Sequence, residues 1–556
     1  MPTVTLNRKV FEDLVGKKLK EEELKDRISM LGTDLEKVDA AEIQVEIFPN
    51  RPDMLSEQGF ARAFSSFIGK ETGLRRFSHK KSGCKLIVEK SLPKEWPYAF
   101  ACIVRGLQFN DERIREVVQI QEKLGMTLLR QRKKGGIGLY PLEKITFPVR
   151  FVGMDPDKIA FRPLEYPSKI SGRQMLSKHP TGRKYAQICE SWKRFPVFVD
   201  DKGVIMSMPP IINSHDVGKI SEDTEDVFVE VTGNDPIQTR TALTIIVTAL
   251  AEMGGQIETI DCVQQDGSVS AIPDLEPKRM KLDIDYCNRW LGLGISEKQA
   301  KELLARMGFG YERGEVLIPA YRADIMHQVD LFEDIAIAYG YENIAEEIPR
   351  ITTIGHEDPM TIFRRRVAHV LGGLGLLELN TYHLSNEQDQ GVRMNAKIPL
   401  LKVRNAVNQD YTALRAWMLP TLLDVLGRNT HNEYPQEIYD AGVVFSPDPS
   451  TETGVAERFS LGVAVCGADA GYTRARQVLD YLLRMLGLEH TIKVSAHGSF
   501  IPGRIGRVLV GKKDIGMIGE IHPQVLENWG IEMPAAAFEI DLSALFSLVE
   551  KQRDRK

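Results

Sequence analysis

Cysteine is scarce in this chain, and its positions are scattered. The six cysteines among 556 residues form no CxxC pair and have no histidine at a matching spacing. This pattern excludes a zinc site of the usual spacing and a disulfide framework, so it favours a reducing compartment. No apolar run reaches membrane-spanning length, and the N-terminal MPTVTLNRKVFEDL is amphipathic and charged, unlike a signal peptide. We therefore expect a cytoplasmic protein without membrane contact.

The chain also lacks the common motifs that bind nucleotides or carry nucleophiles. It has no Walker A loop, no GxGxxG opening a strand–helix–strand unit, no GxSxG elbow and no HExxH. The glycine-rich stretch Leu371–Gly375 falls late in a helical pattern, so it predicts a helix end and not a phosphate loop. A net charge of −5 provides no overall field for nucleic acid, so RNA would have to bind local patches. A self-contained nucleotide enzyme is therefore poorly supported.

The composition is that of an ordinary globular protein. With 43% apolar and 27% charged residues the chain can bury normal cores, and its length predicts about four domains. Changes of pattern predict a multidomain α+β fold. The predicted domains are an N-terminal α+β domain at 1–83, a mixed α/β domain at 84–271, a small helix–strand–helix domain at 275–345 and an α+β layer built on one sheet at 350–556. The basic segment Arg75–Gly83 is predicted to be a linker.

Several helices carry start signals that can be read directly. Asp235 followed by Pro236 predicts an N-cap and first turn for a helix that reaches Met253. Ser296 with Gln299 forms a capping box at the start of another helix. An amphipathic helix is predicted near residue 361 because its apolar residues recur at helical spacing, namely Phe363, Val367, Val370, Leu371 and Leu374. A strand is predicted at Leu377–Leu384.

A basic run, Arg130–Lys134, follows the helix predicted at Arg113–Leu129. Such runs are often solvated helix ends, where cations suit the negative end of the helix dipole. The preceding helix has a polar face that includes Gln119, Gln121 and Lys123, which favours an RNA contact instead. Both interpretations stay open at this point.

The segment Tyr321–Tyr341 concentrates negative charge. Its four carboxylates lie within eleven residues, and the last three stand at i, i+3 and i+4 of a predicted helix; they are Asp324, Asp330, Glu333 and Asp334. Like charges at this spacing repel, and a hard cation such as Mg²⁺ would neutralise them through oxygen ligands. The alternative is a solvated acidic first turn that complements the helix dipole. Spacing alone does not choose between the two.

Three phrases in the chain, taken together, resemble one family. FPNRPDMLS at 48–56, PAYRADIMHQVDLFEDIAIAYGYENI at 319–344 and GEIHPQVLENWGI at 519–531 occur in this order. Together they resemble the beta subunits of phenylalanyl-tRNA synthetases of the archaeal or eukaryotic cytosolic type, over essentially the whole chain. The resemblance implies a tetramer of two alpha and two beta subunits that attaches phenylalanine to its tRNA. ATP and phenylalanine would bind through the alpha subunit.

The same resemblance implies a role for each predicted domain. The four carboxylates would bind Mg²⁺ in a small winged-helix-like domain, and residues 350–556 would form an inactive class II synthetase-like domain with an antiparallel sheet. Thr361–Leu374 and Leu377–Leu384 resemble the class II interface motif. Glu437–Phe445 resembles the second class II motif but lacks its ATP-binding arginine, and no third motif is found. Because arginine supplies bidentate donors to phosphate, this chain is not expected to form aminoacyl-adenylate alone.

Residues 84–271 resemble the family's editing domain, which hydrolyses tyrosine wrongly attached to the phenylalanine tRNA. The resemblance implies that six polar residues form its pocket: Glu230, Thr232, Ser207, Asn213, Gln121 and Arg132. Glu230 would bind the tyrosyl hydroxyl, and Gln121 and Arg132 would hold the ester end or the terminal adenosine. The remaining three would shape the pocket and position water. No Ser-His-Asp or Cys-His set is evident, which favours a positioned water over a covalent nucleophile.

Three alternatives remain from the sequence. A free-standing trans-editing hydrolase would need the editing region alone. A structural tRNA-binding subunit would keep the fold without hydrolysis. An independent Mg²⁺-dependent phosphotransferase would turn over ATP without a partner, although no phosphate loop supports it.

Overall fold

The computed structural model describes residues 2–350 and 353–553. The chain divides into two compact units, Met1–Ile348 and Pro349–Lys556, here called unit 1 and unit 2. Across the described residues, none of the helices combines the length and apolar character needed to span a bilayer.

The elements of unit 1 alternate between strands and helices. Its strands are β1 (Thr3–Asn7), β2 (Asp34–Val38), β3 (Glu42–Glu46), β4 (His79–Val88), β5 (Tyr98–Arg105), β6 (Gly135–Pro141), β7 (Val149–Met154), β8 (Ala160–Phe161), β9 (Ile170–Ser171), β10 (Phe195–Val199), β11 (Ile205–Met208), β12 (Ile212–Asn213), β13 (Val227–Gly233), β14 (Gln256–Val263), β15 (Val269–Ile272), β16 (Lys278–Lys281), β17 (Gly310–Glu312) and β18 (Glu315–Ile318). Its α-helices are α1 (Arg8–Val15), α2 (Glu21–Met30), α3 (Glu57–Phe67), α4 (Asp111–Met126), α5 (Gly172–Lys178), α6 (Pro180–Cys189), α7 (Pro236–Glu252), α8 (Ile284–Leu291), α9 (Glu297–Arg306) and α10 (Gln328–Tyr339). Short 3₁₀ turns lie at Pro52–Met54, Leu142–Lys144 and Tyr341–Asn343.

Unit 1 contains separate sheets. The N-terminal sheet has the order β1-β3-β2, and the sheet before the acidic helix has the order β16-β18-β17. Between them in sequence lies a large mixed sheet of order β12-β11-β10-β7-β4-β14-β5-β13-β6, with β15 paired to β14. In this sheet β13 pairs antiparallel with both β5 and β6, so it is buried between two neighbours. A multidomain α+β fold with several sheets is thus confirmed.

Local capping chemistry accounts for the helix starts. The Asp235 side chain accepts from the backbone N–H groups of Ile237 and Gln238, and Pro236 occupies the first turn of α7, as predicted. The Ser296 capping box with Gln299 is present at α9, also as predicted. Each cap satisfies backbone donors that a helix start leaves unpaired, so these two helices begin where the sequence indicates.

The predicted linker Arg75–Gly83 differs from the structure. β4 begins inside it, at His79, and pairs parallel with β14 in the register His79↔Ile257. The first half of β4 is largely exposed, so side-chain burial does not signal a strand there. Backbone pairing with a distant strand creates the element, and such a partner is invisible in local composition.

Helix α7 organises the core behind the large sheet. It is apolar nearly all round and buries Ala242, Leu243, Ile246, Val247 and Leu250. Each fully buried leucine, isoleucine or valine side chain contributes about 1.5–3 kcal/mol relative to exposure. α7 packs on β5 and β13, and α4 packs on β6 and α7. This packing holds β6, β13 and α4 in place, and these elements carry the cavity described below.

Unit 2 is an α+β unit built on one sheet. Its strands are β19 (Leu377–Glu378), β20 (Leu384–Ser385), β21 (Ala413–Leu414), β22 (Gln436–Pro447), β23 (Val455–Cys466), β24 (Thr491–Val494), β25 (Phe500–Val510), β26 (Lys513–Ile521) and β27 (Ala535–Asp541). Its α-helices are α11 (Pro359–Gly373), α12 (Leu419–Arg428), α13 (Tyr472–Met485), α14 (Pro523–Asn528) and α15 (Leu542–Arg553), with a π-helical turn at Gln388–Val392. The main sheet has the order β19-β22-β23-β27-β26-β25-β24 and is antiparallel except for the pair β19–β22.

Both faces of this sheet are covered. One cluster of buried side chains joins the sheet to α11, α13 and α15, and a second joins it to α12 and α14. The amphipathic prediction for α11 is confirmed, because Phe363, Val367 and Leu371 are buried in the first cluster. The predicted strand Leu377–Leu384 is wrong for most of its length, since β19 covers only Leu377–Glu378.

The winged-helix-like and class II-like assignments and the four predicted domain boundaries stay predictions.

Candidate functional site

A cavity of about 200 Å³ opens beside β6 and β13 in unit 1. Its walls come from α4, the loop after α4, β6, the turn between β11 and β12, and β13. The fold brings four of the six predicted pocket residues together on this wall: Gln121, Arg132, Asn213 and Glu230. These residues are spread over more than a hundred positions of sequence, so the sheet order creates the site.

Glu230 forms the deepest polar group of the cavity. It lies in the middle of β13, between β5 and β6, and only 2% of it is exposed. Its Oε1 atom accepts a hydrogen bond from the Tyr140 hydroxyl at 3.0 Å. Its Oε2 atom has no partner among residues 2–350 and 353–553. Burial raises the pKa of Glu230 to about 8, so the group is mainly protonated at neutral pH.

Tyr140 was not predicted, although it holds Glu230 in place. Its hydroxyl also lies 3.4 Å from Asn213 Oδ1, a longer contact than the one to Glu230. Burial among apolar groups, with Glu230 beside it, keeps the Tyr140 pKa well above its ordinary value. The Tyr140 hydroxyl therefore stays protonated and acts as a donor to Glu230 Oε1. This leaves Glu230 Oε2 as the carboxyl oxygen without a hydrogen-bond partner among the described residues.

Ser207 and Thr232 lie behind the cavity wall and do not line it. Ser207 is fully buried and is paired with Asn213 across β11 and β12. Its hydroxyl lies beside that of Tyr140, and it makes no well-aligned hydrogen bond to any described residue. Thr232 is also fully buried and stands two residues after Glu230, on the same face of β13.

Glycines in β6 make room for the cavity. A Cβ atom at Gly138 would lie 2.4 Å from Glu230 Oε1 and 2.5 Å from the Tyr140 hydroxyl oxygen. At Gly136 it would lie 3.2 Å from the Pro210 Cα atom. The sequence Gly135-Gly136-Ile137-Gly138 is therefore a signal that could have located the site, because glycine inside a strand often marks a close approach.

Arg132 stands at the mouth of the cavity in a strained loop. Arg130, Gln131 and Arg132 all have positive φ, between 48° and 62°, which costs side-chain-bearing residues about 1 kcal/mol or more each. Backbone hydrogen bonds tie the loop to the end of α4, including Arg132 N to Gly125 O at 2.9 Å. The predicted interpretation of this run as a solvated helix end is wrong for Arg132, which lines the cavity.

The Arg132 guanidinium is held in position on two sides. Nη1 donates to the carbonyl oxygens of Pro210 and Ile211 at 3.2 and 3.1 Å. Its central carbon lies 4.5 Å from the centroid of the Tyr185 ring, a cation–π distance. Burial lowers its pKa from the ordinary value, yet arginine remains charged at neutral pH. A fixed positive charge at the opening suits an anionic ligand, while the interior suits a small amphipathic side chain.

The four carboxylates that were predicted to bind Mg²⁺ do not form a single ligand set. Arg322, with 4% exposure, donates from Nε and Nη2 to both oxygens of Asp324 at 2.8 and 2.6 Å. Its Nη2 atom also donates to Asp334 Oδ2 at 2.7 Å. A buried guanidinium thus pairs with two of the four carboxylates. A second buried pair, Arg51 and Asp53 from the FPNRPDMLS phrase, acts electrostatically on the same cluster.

The other two carboxylates lie apart from Arg322. Asp330 Oδ2 accepts from the backbone N–H groups of Met326 and His327 and closes the capping box of α10. Glu333 is exposed one turn further along. Within the described ranges, only Asp34, Glu36 and Glu46 bring three potential ligand groups within 4.8 Å of one another. The four predicted ligands do not converge, so they do not fit one ion as a complete set.

In unit 2, the segment before α12 contacts one face of the sheet through buried side-chain and backbone groups. Arg415 is 1% exposed and donates from Nε to the carbonyl oxygen of Val443 at 2.8 Å and from Nη1 to Thr381 Oγ1 at 2.8 Å. A Cβ atom at Gly442 would lie 2.1 Å from Arg415 Nη2. The side chain therefore lies flat against β22, on the strand predicted to resemble the second class II motif.

Buried Glu539 on β27 completes this arrangement. It accepts from the backbone N–H of Met418 and from the Ser460 hydroxyl, at 2.8 and 2.7 Å. These contacts fix the segment before α12 onto the sheet.

Comparisons with known proteins agree with this organisation. Residues 344–542 match the family described as the phenylalanyl tRNA synthetase beta chain CLM domain, and residues 280–341 match the tRNA synthetase B5 domain. The second match includes the acidic helix α10, and the first includes the main sheet of unit 2.

Relatives match along almost the full length. The chain is 37% identical over 560 residues to the phenylalanine–tRNA ligase beta subunit of Pyrococcus horikoshii, covering 98% of this chain and 100% of that relative. It is 38% identical over 558 residues to the corresponding subunit of Archaeoglobus fulgidus, covering 99% and 100%. A crystal structure of an N-terminal fragment of the phenylalanyl-tRNA synthetase beta subunit from Pyrococcus horikoshii aligns with a TM-score of 0.58 and 33% identity. It covers 61% of this chain and 99% of the fragment.

Proposed function

Because the chain belongs to the family of phenylalanine–tRNA ligase beta subunits, we propose that it acts as the beta subunit of such a ligase in the cytoplasm. It would assemble with an alpha subunit into a tetramer of two alpha and two beta chains. The alpha subunit would bind ATP and phenylalanine and attach the amino acid to its tRNA, which this chain would also contact. Full-length similarity to named beta subunits is the observation that supports this assembly.

Unit 2 would support the complex without performing the adenylation chemistry. ATP needs exposed arginine donors for its phosphates. In unit 2 the arginine that lies against β22, Arg415, is buried and donates from Nε to Val443 and from Nη1 to Thr381. We therefore expect ATP-dependent activation of phenylalanine only with the alpha subunit present.

We propose that the Glu230 cavity hydrolyses tyrosine wrongly attached to the phenylalanine tRNA. The observation that carries this proposal is the buried, unpaired Oε2 atom of Glu230, a residue that lines the cavity. At about 200 Å³ the cavity is smaller than typical drug-sized sites, which start near 300 Å³, so it suits a single amino-acid side chain.

Discrimination would rest on the hydroxyl that separates tyrosine from phenylalanine. An apolar synthetic pocket rejects an added hydroxyl by only about 10²-fold. A tyrosyl hydroxyl in the Glu230 cavity would pair with Oε2, whether the carboxyl is protonated or ionised. A phenylalanyl ring would leave that buried oxygen without a partner, which costs about 1–3 kcal/mol. The wrong product is therefore the one that binds.

The other pocket residues would bind the end of the tRNA and orient the attacking water. Arg132 at the mouth carries the charge that suits the phosphates or terminal adenosine of tRNA, with Gln121 beside it for the ester end. Asn213 offers a carbonyl oxygen and an amide near the Tyr140 hydroxyl, which can orient a water molecule. Hydrolysis then needs that water to attack the ester carbonyl, releasing tyrosine and the free 3′ end of the tRNA.

Two measurements test this function. Purification of the chain from its host should recover a class II alpha partner at equal stoichiometry, and aminoacylation by the lone chain would contradict the assembly. The full chain should also release tyrosine from mischarged phenylalanine tRNA. tRNA binding without any hydrolysis would instead identify a structural subunit, and hydrolysis by a chain that never associates with a partner would identify a free-standing editing enzyme.

We also propose that α10 binds Mg²⁺ through two of the four predicted carboxylates. Asp330 and Glu333 are the members that do not contact Arg322, and they stand one turn apart on the helix surface. Mg²⁺ commonly uses one or two carboxylates and completes its shell with water. No reaction step is assigned to the ion. It would add positive charge where Arg322 leaves two carboxylates unneutralised.

Asp330→Asn should weaken Mg²⁺ binding by the full chain in titration calorimetry, because asparagine is a poorer ligand for a hard cation. Asparagine still accepts the hydrogen bonds that close the helix start, so the fold is kept. Phenylalanine activation by the complex should be unchanged. Absence of Mg²⁺ binding by the native chain, or equal binding by Asp330→Asn, would contradict the site.

A further inference from the structure

A second cavity in unit 1 is rich in acidic side chains. It has a volume of about 470 Å³ and lies between β1, the start of β3, the first turn of α3 and one face of α4. Its wall includes four carboxylates: Glu42, Glu57, Glu112 and Glu116. It shares no lining residue with the Glu230 cavity, which uses other positions of α4.

Hydrogen bonds from the backbone and from amides hold three of these carboxylates rigidly. The Asn7 backbone N–H donates to Glu57 Oε1, and the Asn7 side-chain amide donates to Glu112 Oε1. Glu116 accepts from the backbone N–H of Glu57 at 3.2 Å and from Gln58 Nε2 at 3.0 Å. The acidic groups are therefore fixed by neutral donors and not by cations.

One oxygen of this cluster is left over. Glu57 is only 5% exposed, and its Oε2 atom has no hydrogen-bond partner among the residues the structure describes. An unpaired buried carboxylate oxygen is costly, so it points to a donor that comes from outside the chain.

Positive charge is poorly matched to these carboxylates. Within residues 2–350 and 353–553, no salt bridge involves Glu57, Glu112 or Glu116. Arg115 lines the cavity, but it is exposed and paired with Asp111 at 2.7 Å. Glu42, at the rim, is paired with Lys37 at 2.8 Å.

The pKa values of two of the buried glutamates are raised. Burial, with Glu116 and Glu112 nearby, raises the pKa of Glu57 to about 8. Burial raises that of Glu116 to about 7, where Glu112 adds to the rise and Arg113 opposes it. Protonation relieves the repulsion while no cation is bound.

The arrangement suits an organic cation better than a bare metal ion. Three ligand groups do not converge here within 4.8 Å, unlike the Asp34, Glu36 and Glu46 cluster, which was the only such group among the described residues. A guanidinium prefers a bidentate pair of free oxygens, and here a single free buried oxygen is presented. An ammonium group is a compact charge with three donors, which fits one buried acceptor and its acidic surroundings.

We propose that this cavity binds an alkylammonium group, with Glu57 Oε2 as its buried acceptor and Glu112 and Glu116 as neighbouring charges. The group would be either a free alkylamine or a lysine side chain of a partner protein, since both present the same chemistry. This site is independent of the editing proposal.

The test is calorimetric titration of the full chain with 1,5-diaminopentane, and with 1,5-pentanediol as an uncharged probe of equal length. We expect one saturable diamine site and no binding of the diol. Because the cation favours the ionised carboxylates, protons should be released near pH 7, and the measured heat should differ between buffers of different ionisation enthalpy. Affinity should rise as the pH increases from 6 to 8.

Glu57→Gln and Glu112→Gln should each weaken diamine binding by about tenfold or more, which matches the loss of one charge-assisted hydrogen bond. Glu143→Gln, at an exposed position that does not line the cavity, should bind like the native chain. No saturable diamine binding by the native chain overturns the proposal. So does equal binding by the native chain and both cavity variants.

Two further titrations, one with the alpha partner bound and one with Mg²⁺, identify the source and the class of the ligand. If binding of the diamine is lost when the alpha partner is bound, a lysine of the partner occupies the site; if binding is kept, a free amine does. Both results support the proposal. Mg²⁺ that displaces the diamine at equal concentration and loses its own binding in Glu57→Gln would assign the cavity to a metal and overturn it.

Discussion

At the scale of single residues, unit 1 contains buried carboxylates that differ in their charged neighbours. Glu230 is buried with one oxygen paired to Tyr140 and the other unpaired. Asp324 and Asp334 are also buried or nearly so, yet both are paired with Arg322. Burial without a cation favours the neutral form of Glu230, whereas at Asp334 the Arg322 guanidinium opposes the rise in pKa that burial causes. The two buried carboxylates therefore differ in whether a cation lies beside them.

The raised pKa of Glu230 predicts a pH-dependent stability. Its pKa rises from 4.5 to about 8 on folding, so between these values the native state holds a proton that the unfolded chain has lost. The native state is therefore progressively destabilised as the pH rises through this window. Glu230→Gln removes this dependence. Thermal melts should show the variant gaining stability relative to the native chain from pH 5 to pH 9, on the order of 4 kcal/mol.

Glu57 and Glu116 titrate in both proteins and cancel from this comparison. An equal difference in melting temperature between the two proteins at pH 5 and at pH 9 would contradict the assignment of a buried, neutral Glu230.

Residue identities at the site were predictable only in part. Glu230 and Arg132 followed from family resemblance, and the fold places both on the cavity. Tyr140 was missed because an alternating strand residue gives no local sign of what its hydroxyl contacts. Arg322 lies two residues before Asp324, yet nothing in the spacing shows that its side chain turns inward to bind two carboxylates.

At the scale of elements, β6 controls access to the site. Its glycines allow α4 and the turn between β11 and β12 to approach β13 without closing the cavity. A strand with ordinary side chains at these positions would fill the same volume.

Gly138→Ala should abolish deacylation of tyrosyl-tRNA. The added methyl group would collide with Glu230 Oε1 and the Tyr140 hydroxyl, at 2.4 and 2.5 Å, so both must shift. Overpacking of this kind typically costs about 1–3 kcal/mol of stability, which a domain of this size can tolerate. Rates of tyrosine release under single-turnover conditions provide the measurement.

Gly294→Ala is the matched control, because its Cβ atom meets no atom within 4 Å and its φ is ordinary. It should release tyrosine at the native rate. Native activity in Gly138→Ala would show that the ligand does not enter beside Glu230.

Elements with local signals were predicted well, and elements made by distant pairing were not. α7 and α9 begin at their predicted caps, and α11 buries its predicted stripe. In contrast, β4 begins within the predicted linker because β14 supplies its backbone partner. β27 was not predicted at all, although it lies at the centre of the unit 2 sheet between β23 and β26.

At the scale of the whole molecule, the proposed activities are separable. Unit 1 contains both cavities and the acidic helix, and unit 2 contains a sheet with both faces covered. Each unit has its own clusters of buried apolar side chains.

A fragment of residues 1–348 should therefore fold alone and retain tyrosyl-tRNA deacylation, while losing association with the alpha subunit if unit 2 mediates it. A solved fragment of a relative that covers 61% of this chain supports independent folding of this part. Cooperative melting and a deacylation assay are the measurements. An unfolded fragment would contradict the separation of the two units.

In the proposed editing reaction, the unpaired oxygen of Glu230 selects the tyrosyl hydroxyl. The most direct test of this selection is the ratio of deacylation rates for phenylalanine tRNA carrying tyrosine and carrying phenylalanine, measured for the native chain, Glu230→Leu and the exposed control Glu143→Leu. Loss of one hydrogen bond to a buried acceptor predicts a fall in this ratio of about 10- to 100-fold for Glu230→Leu and none for Glu143→Leu. An unchanged ratio in a folded Glu230→Leu protein would contradict the account.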